Sequence, residues 1–220
     1  MAEAALRKQR QLYQKAVAER EGWAFSSGDF TYAFRALVNH SRAERLLEDQ
    51  KDTEHGQLLG AEEVRGEVLR QYQKACNALQ ETLEALEGHV KRLEQHAQSS
   101  RAQLGELGGD VKLLGSLRVG GNPSISECVD GLAELARLHR QELSLKEACR
   151  DVLVGFTPVN GAPHLEGVYP EDEAEDGLDD LVKIVAAEPN LPPQKVRGLI
   201  DAVLNPGAGT PKPGTEAAAA

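Results

Sequence analysis

The chain has 220 residues, 27% of them charged and only 4% aromatic, which suits helical bundles and leaves little material for a thick mixed core. Its formal charge of −10, without any basic stripe, argues against direct binding of nucleic acid. No apolar run is long enough to span a membrane, and Ala2 to Arg20 mixes acids with bases, unlike a signal or transit peptide.

The first proline is Pro123, and the others begin at Pro158. Proline costs about 3 kcal/mol inside a helix, so its absence from the first 122 residues favours long helices there. A first helix is expected from Glu3 to Glu21, with Leu6, Tyr13, Ala16 and Val17 as a modest apolar face. Gly22 and the Ser26-Ser27-Gly28-Asp29 cluster predict a turn, with Ser27 or Asp29 as the N-cap of a second helix. That helix carries Phe30, Phe34, Leu37 and Val38 on one side and continues through Leu46 and Leu47. With Trp23 and Phe25 ahead of it, the segment Trp23–Phe34 reads as a hydrophobic plug at one end of a bundle.

A polar stretch, Gln50 to Gly60, leads to the strongest periodicity in the chain. From Ala61 to Leu107 the a-type positions are Cys76, Leu83, Val90, Ala97 and Leu104, and the d-type positions are Tyr72, Leu79, Leu86, Leu93, Ser100 and Leu107. At the standard helical rise the seam is about 60 Å long, and it needs another helix to keep it from water. Leu79, Leu83, Leu86, Val90 and Leu93, with Trp23, Phe30 and Phe34, are therefore the candidate partner-binding residues. His89 and His96 are seven apart at g-like positions, not at the i, i+4 spacing of a metal pair, and read as solvated or partly packed. Cys76, Cys128 and Cys149 form no CxxC and read as small buried hydrophobes whose reduced thiols suit the cytosol or nucleus.

Val111 to Val119 is short, apolar and glycine-bounded, and is expected to fold Leu113, Leu114 and Leu117 back onto the bundle. Ser124 and Glu127 then stand in capping-box spacing at the start of a helix with an apolar stripe from Ile125 to Leu143, ending near Gly155. Gly120-Gly121-Asn122 before it lacks a preceding strand and a following P-loop lysine, so it reads as an ordinary turn. From Thr157 the chain is rich in proline and glycine. Residues 163–190 hold nine acids and one base, Lys183, a local charge of −8. This acidic run reads as a solvated linker or as a docking segment for a basic surface. Two short amphipathic helices follow, one with Leu178, Leu181, Val182 and Val185, the other with Val196, Leu199, Ile200 and Val203. Leu181 and Val185 join the candidate partner-binding set. The tail from 205 is expected to be disordered, and Thr157-Pro158 and Thr210-Pro211 are minimal proline-directed kinase sites.

Pro123-Ser124-Ile125, Leu132, Leu135 and the stretch His139-Arg140-Gln141-Glu142-Leu143-Ser144-Leu145-Lys146 resemble a late helix in a group of small helical accessory proteins. That group comprises the cyclin-dependent kinase 2-interacting protein and its helical companion in an AAA-ATPase complex of ribosome maturation. Tyr72 to Leu93 resembles their preceding long helix, and Tyr13 to Asn39 is a looser match to their Trp-containing opening helix. The resemblance stops near Val154 and does not cover the acidic C-terminal part. It implies a non-enzymatic subunit that pairs with a similar helical protein and recruits or positions an ATPase, with links to ribosome assembly or replication.

The expected fold is all-α: an elongated antiparallel helical bundle or coiled coil over 1–155, an acidic Pro/Gly loop over 156–177, two short helices over 178–204 and a flexible tail. The expected role is a cytoplasmic or nuclear scaffold or adaptor, with other helical proteins as partners, among them a related helical subunit and an AAA-ATPase. No catalytic residue, cofactor, metal, nucleic-acid or membrane site is expected. The alternatives are a coiled-coil subunit of a kinetochore, centrosomal or vesicle-tethering complex, and an enzyme, which would need a pocket of convergent polar groups.

Overall fold

The computed structural model describes residues 2–49, 61–106, 115, 116, 118, 121–156 and 171–206. The elements among the described residues are five α-helices and no strand: α1 (Ala2–Asp49), α2 (Ala61–Gly105), α3 (Ile125–Phe156), α4 (Glu171–Ala187) and α5 (Pro193–Leu204). The expected hairpin through Leu113, Leu114 and Leu117, the loop 157–170 with Thr157, and the tail with Thr210 lie outside the described residues.

One departure from the sequence reading is large. The turn expected at Gly22 and at Ser26–Asp29 does not form, and α1 is a single helix of 48 residues. Each interior glycine costs about 1 kcal/mol against alanine. Continuous helix, however, aligns Trp23, Phe30, Phe34 and Leu37 on one side, and all four are buried. At about 1.5–3 kcal/mol for each large apolar side chain, burial outweighs the glycine cost. Gly22 is a point of close approach: a Cβ there would overlap the His89 ring on α2. Ser27 is no N-cap either, because its hydroxyl donates to the Glu188 carboxylate.

The chain divides into two compact units, 1–21 with 90–140 and 190–220, and 22–89 with 141–189. In the first unit α1 and α2 run antiparallel. The Gln9 amide donates to the Ser100 carbonyl at 3.3 Å, the Ser100 hydroxyl donates to Gln9 Oε1 at 2.5 Å, and Arg92 meets Glu19 at 2.7 Å. Arg140 on α3 holds Glu94 on α2 through two nitrogens at 2.9 Å. The core between them gathers Leu6, Tyr13, Leu93, Leu132 and Leu135, and α5 adds Val196, Ile200 and Val203. The last helix is thus an integral wall of this unit. In the second unit α1 and α4 run antiparallel, since Trp23 reaches Glu188 while Arg42 reaches Asp179 at 2.9 Å. Its buried set includes Phe34, Leu37, Leu79, Leu83, Leu86, Leu143, Leu153, Leu178 and Val185.

Two helix starts follow from local chemistry. At α3 the Ser124 N–H donates to Glu127 Oε2 at 2.7 Å and the Glu127 N–H to Ser124 Oγ at 3.2 Å, the reciprocal pair that the spacing predicts. At α4 the helix begins at Glu171, inside the acidic run assigned to a loop. No proline lies between Pro170 and Pro189, so nothing in the segment breaks a helix.

Gly131 is a close helix contact in the first unit: a Cβ there would overlap the Tyr13 hydroxyl, which donates to the Cys128 carbonyl at 3.0 Å. Gly131→Ala is expected to break that bond and destabilise the protein by about 1–3 kcal/mol despite alanine's better helix propensity. Urea unfolding measures it, and a more stable variant would show that the approach is not tight.

Candidate interaction surfaces

Sequence-predicted partner-binding residues sit inside the chain's own packing. On α2, Leu79, Leu83 and Leu86 are buried in the second unit, and Val90 and Leu93 in the first. Trp23, Phe30 and Phe34 on α1 and Val185 on α4 are buried in the second unit, where Leu181 is half-buried. The structure therefore closes the leucine seam with intramolecular neighbours, and these side chains are withheld from the surface.

The second unit holds a polar cluster that sequence reasoning missed. Glu142 and Lys146 are one turn apart on α3, both fully buried, with Lys146 Nζ 3.9 Å from Glu142 Oε1. Lys146 also donates to the Val185 carbonyl at 3.1 Å, within the last turn of α4, where helical carbonyls have no intrahelical partner. The ammonium thus caps the negative end of the α4 dipole. It sits 5.3 Å from the centre of the Phe30 ring, within cation–π range. Glu188 follows α4 in the left-handed region at φ 45°, which favours glycine. Its carboxylate repays the strain, accepting from Trp23 Nε1 at 3.1 Å and from Ser27, and standing 3.5 Å from Lys146. Burial lowers the Lys146 pKa, while Glu188 and then Glu142 oppose the shift. The only sequence signal was the Glu142–Lys146 spacing, which reads equally well as a solvated pair.

The first unit carries an open groove of about 770 Å³ between the α3 start and α5, with Tyr13, Asn122, Gly131 and Leu199 among its walls. Its charges are already engaged: Arg118 with Glu127, Arg197 with Asp201 at 3.2 Å, and Lys195 with Glu134 at 2.6 Å. Arg137 and then Lys195 hold the Glu134 carboxyl down to about 2. Burial pushes the neighbouring Cys128 thiol up to about 11 and raises the Tyr13 phenol, so both stay protonated at neutral pH. Among the described residues no group of three or more His, Cys, Asp or Glu could hold a metal ion. His89 and His96 are both partly buried, and burial lowers the His96 pKa.

Exposed large apolar side chains are distributed unevenly. Among the described residues they are Phe25, Tyr32 and Leu46 on α1, Val64 and Leu69 on α2, Val152 on α3 and Ile184 on α4, and all seven belong to the second unit. Phe25, expected in the hydrophobic plug, faces solvent, because it lies off the Trp23–Phe30–Phe34 side of α1.

A family model for the C1orf109-like ribosome biogenesis proteins matches residues 3–206, from the first turn of α1 to just past the end of α5. The chain belongs to that family. No curated protein matches the sequence. The C1orf109-like match extends past Val154, where the first resemblance stopped, and takes in α4 and α5. It carries the ribosome-biogenesis part of that resemblance. No helix among the described residues is long and apolar enough to cross a membrane.

Removing one member of a buried ion pair leaves an uncompensated charge and typically costs about 3–5 kcal/mol. Lys146→Ala is expected to destabilise the second unit by that amount and to release α4. Hydrogen exchange should report the release as faster exchange of α4 amides, with α5 amides unaffected. A loss below about 1 kcal/mol would mean that the ammonium is not the tie.

Proposed function

We propose that the protein is a non-enzymatic helical accessory subunit in ribosome biogenesis, which pairs with another helical subunit and positions an AAA-ATPase. Membership of the C1orf109-like family supports the setting. The observation that carries the mode of action is the confinement of exposed large apolar side chains, among the described residues, to one of the two units. Single surface hydrophobes are ordinary; what supports this reading is that all seven belong to the same unit.

In this reading the chain divides its labour. Leu79, Leu83, Leu86, Val90, Leu93, Trp23, Phe30, Phe34 and Val185 act by holding the helices in register. Ile184 and the half-buried Leu181 on α4, with Phe25 and Tyr32 on α1, meet the partners directly. Each large apolar side chain covered by a partner contributes about 1.5–3 kcal/mol before ordering costs, so a few of them support a specific complex.

Affinity purification of the full chain from growing cells, followed by sedimentation and mass spectrometry, tests the proposal. An AAA-ATPase, a second helical protein and ribosomal precursors are expected to co-purify. Recovery of microtubule, centrosomal or membrane-tethering factors in their place would overturn it.

A further inference from the structure

Charge is divided unequally between the two units. The first holds 15 of the 25 Lys and Arg residues but only 11 of the 35 Asp and Glu, a net +4, which leaves −14 for the second. The whole-chain charge of −10 that argues against nucleic acid therefore hides a basic unit. Six of its bases are spent within it: Arg92, Arg118, Arg137, Arg140, Lys195 and Arg197 each meet a carboxylate. Arg7, Lys8 and Lys15 on α1 are exposed, and none of them takes part in an ion pair among the described residues. On a helical projection they share one side of α1 with Gln11, Gln14 and Ala18, which are also exposed. No acid occurs from Ala4 to Ala18, and Glu3 and Glu21 bound the face at its two ends. Glu19, at its edge, is held by Arg92 at 2.7 Å. The face carries no large apolar side chain, since all seven exposed ones belong to the second unit.

We infer that this face of α1, within the first unit, binds the phosphate backbone of RNA. Arg, Lys and Gln side chains reach phosphate oxygens, and such contacts position a protein without reading sequence. Arg7, Gln11 and Lys15 follow one another at steps of about 6 Å along the axis, so one backbone can track them. Protein interfaces centre on aromatic and other apolar anchors, and this face offers none. A polyphosphate chain is the anionic partner that needs no such anchor. In a ribosome biogenesis family the polyanion at hand is precursor RNA. The second unit, at −14, repels the same polyanion, which confines the contact to the first. Three phosphate contacts hold RNA weakly. That suits a subunit whose other surfaces are held by protein partners, because each interaction raises the effective concentration for the next. The inference rests on the accessory-subunit reading and adds the chemistry of one partner.

Two experiments on the full chain test it. In growing cells, p-benzoylphenylalanine at position 11 is expected to give an RNase-sensitive photoadduct carrying ribosomal precursor sequence. At the exposed Gln80 of α2, in the second unit, it should give none. In solution, fluorescence anisotropy with a short labelled RNA duplex should show a log affinity that falls against log salt with a slope of about −2. Arg7→Glu/Lys8→Glu/Lys15→Glu should lower adduct yield and affinity about tenfold or more, and Arg7→Lys/Lys8→Arg/Lys15→Arg should keep both. An adduct to protein in place of RNA, whether a second copy or another chain, would overturn the inference. An adduct yield no higher than at position 80, or binding that ignores the charge reversal, would do the same. Co-sedimentation with ribosomal precursors separates the two readings. If it persists for the wild-type chain while RNA binding fails, the face is wrong and the accessory role stands. If the wild-type chain does not co-sediment, the accessory role itself fails.

Discussion

A leucine seam that must be kept from water governs this protein. α2 presents Leu79, Leu83, Leu86, Val90 and Leu93 along one side, and every one of them is buried. A helix of 45 residues left alone would hold this stripe in water. The chain answers from within, supplying segments of α1 and α3 to both units, α5 to the first and α4 to the second. Because the seam is spent on folding, its side chains are not at the surface. That shifts attention from the most obvious sequence feature to the exposed residues of the second unit.

The polar interactions divide into two kinds by their surroundings. Pairs such as Arg197–Asp201 and Lys183–Asp180 lie at the surface and contribute little, since water and salt screen them. Lys146 differs because it is fully buried. It satisfies the end of α4, faces the Phe30 ring and draws Glu142 and Glu188 around it. A buried charge of this kind adds little net stability over an apolar substitute, but it penalises every arrangement in which its partners are missing. In the folded chain it ties the end of α4 to α1 and α3.

The groove of the first unit and the apolar surface of the second are different kinds of surface. In the groove each charged side chain discussed has a neighbour of opposite sign, and the Cys128 thiol is held protonated. The outward face of α1 has the reverse character: two exposed rings, a glycine with open space over it, and a carboxylate and a guanidinium outside any ion pair among the described residues. The first has its charges met in the folded chain, and the second leaves its side chains in solvent.

Sequence by itself determined the helical class, the seam on α2 and the reciprocal cap at Ser124 and Glu127. Each of these is local, set by residue spacing along a single helix. It did not determine that α1 continues through Gly22 and Ser26–Asp29. Those residues carry turn chemistry, and only the combined burial of Trp23, Phe30, Phe34 and Leu37 against other helices overrides it. Nor could it separate Lys146, one turn from an acid and buried, from a solvated lysine at the same spacing, or Phe25, exposed, from Phe30, buried five residues later. Periodicity states which side chains share a face. Which faces are covered depends on where distant segments come to rest, and that is decided only when the whole chain packs.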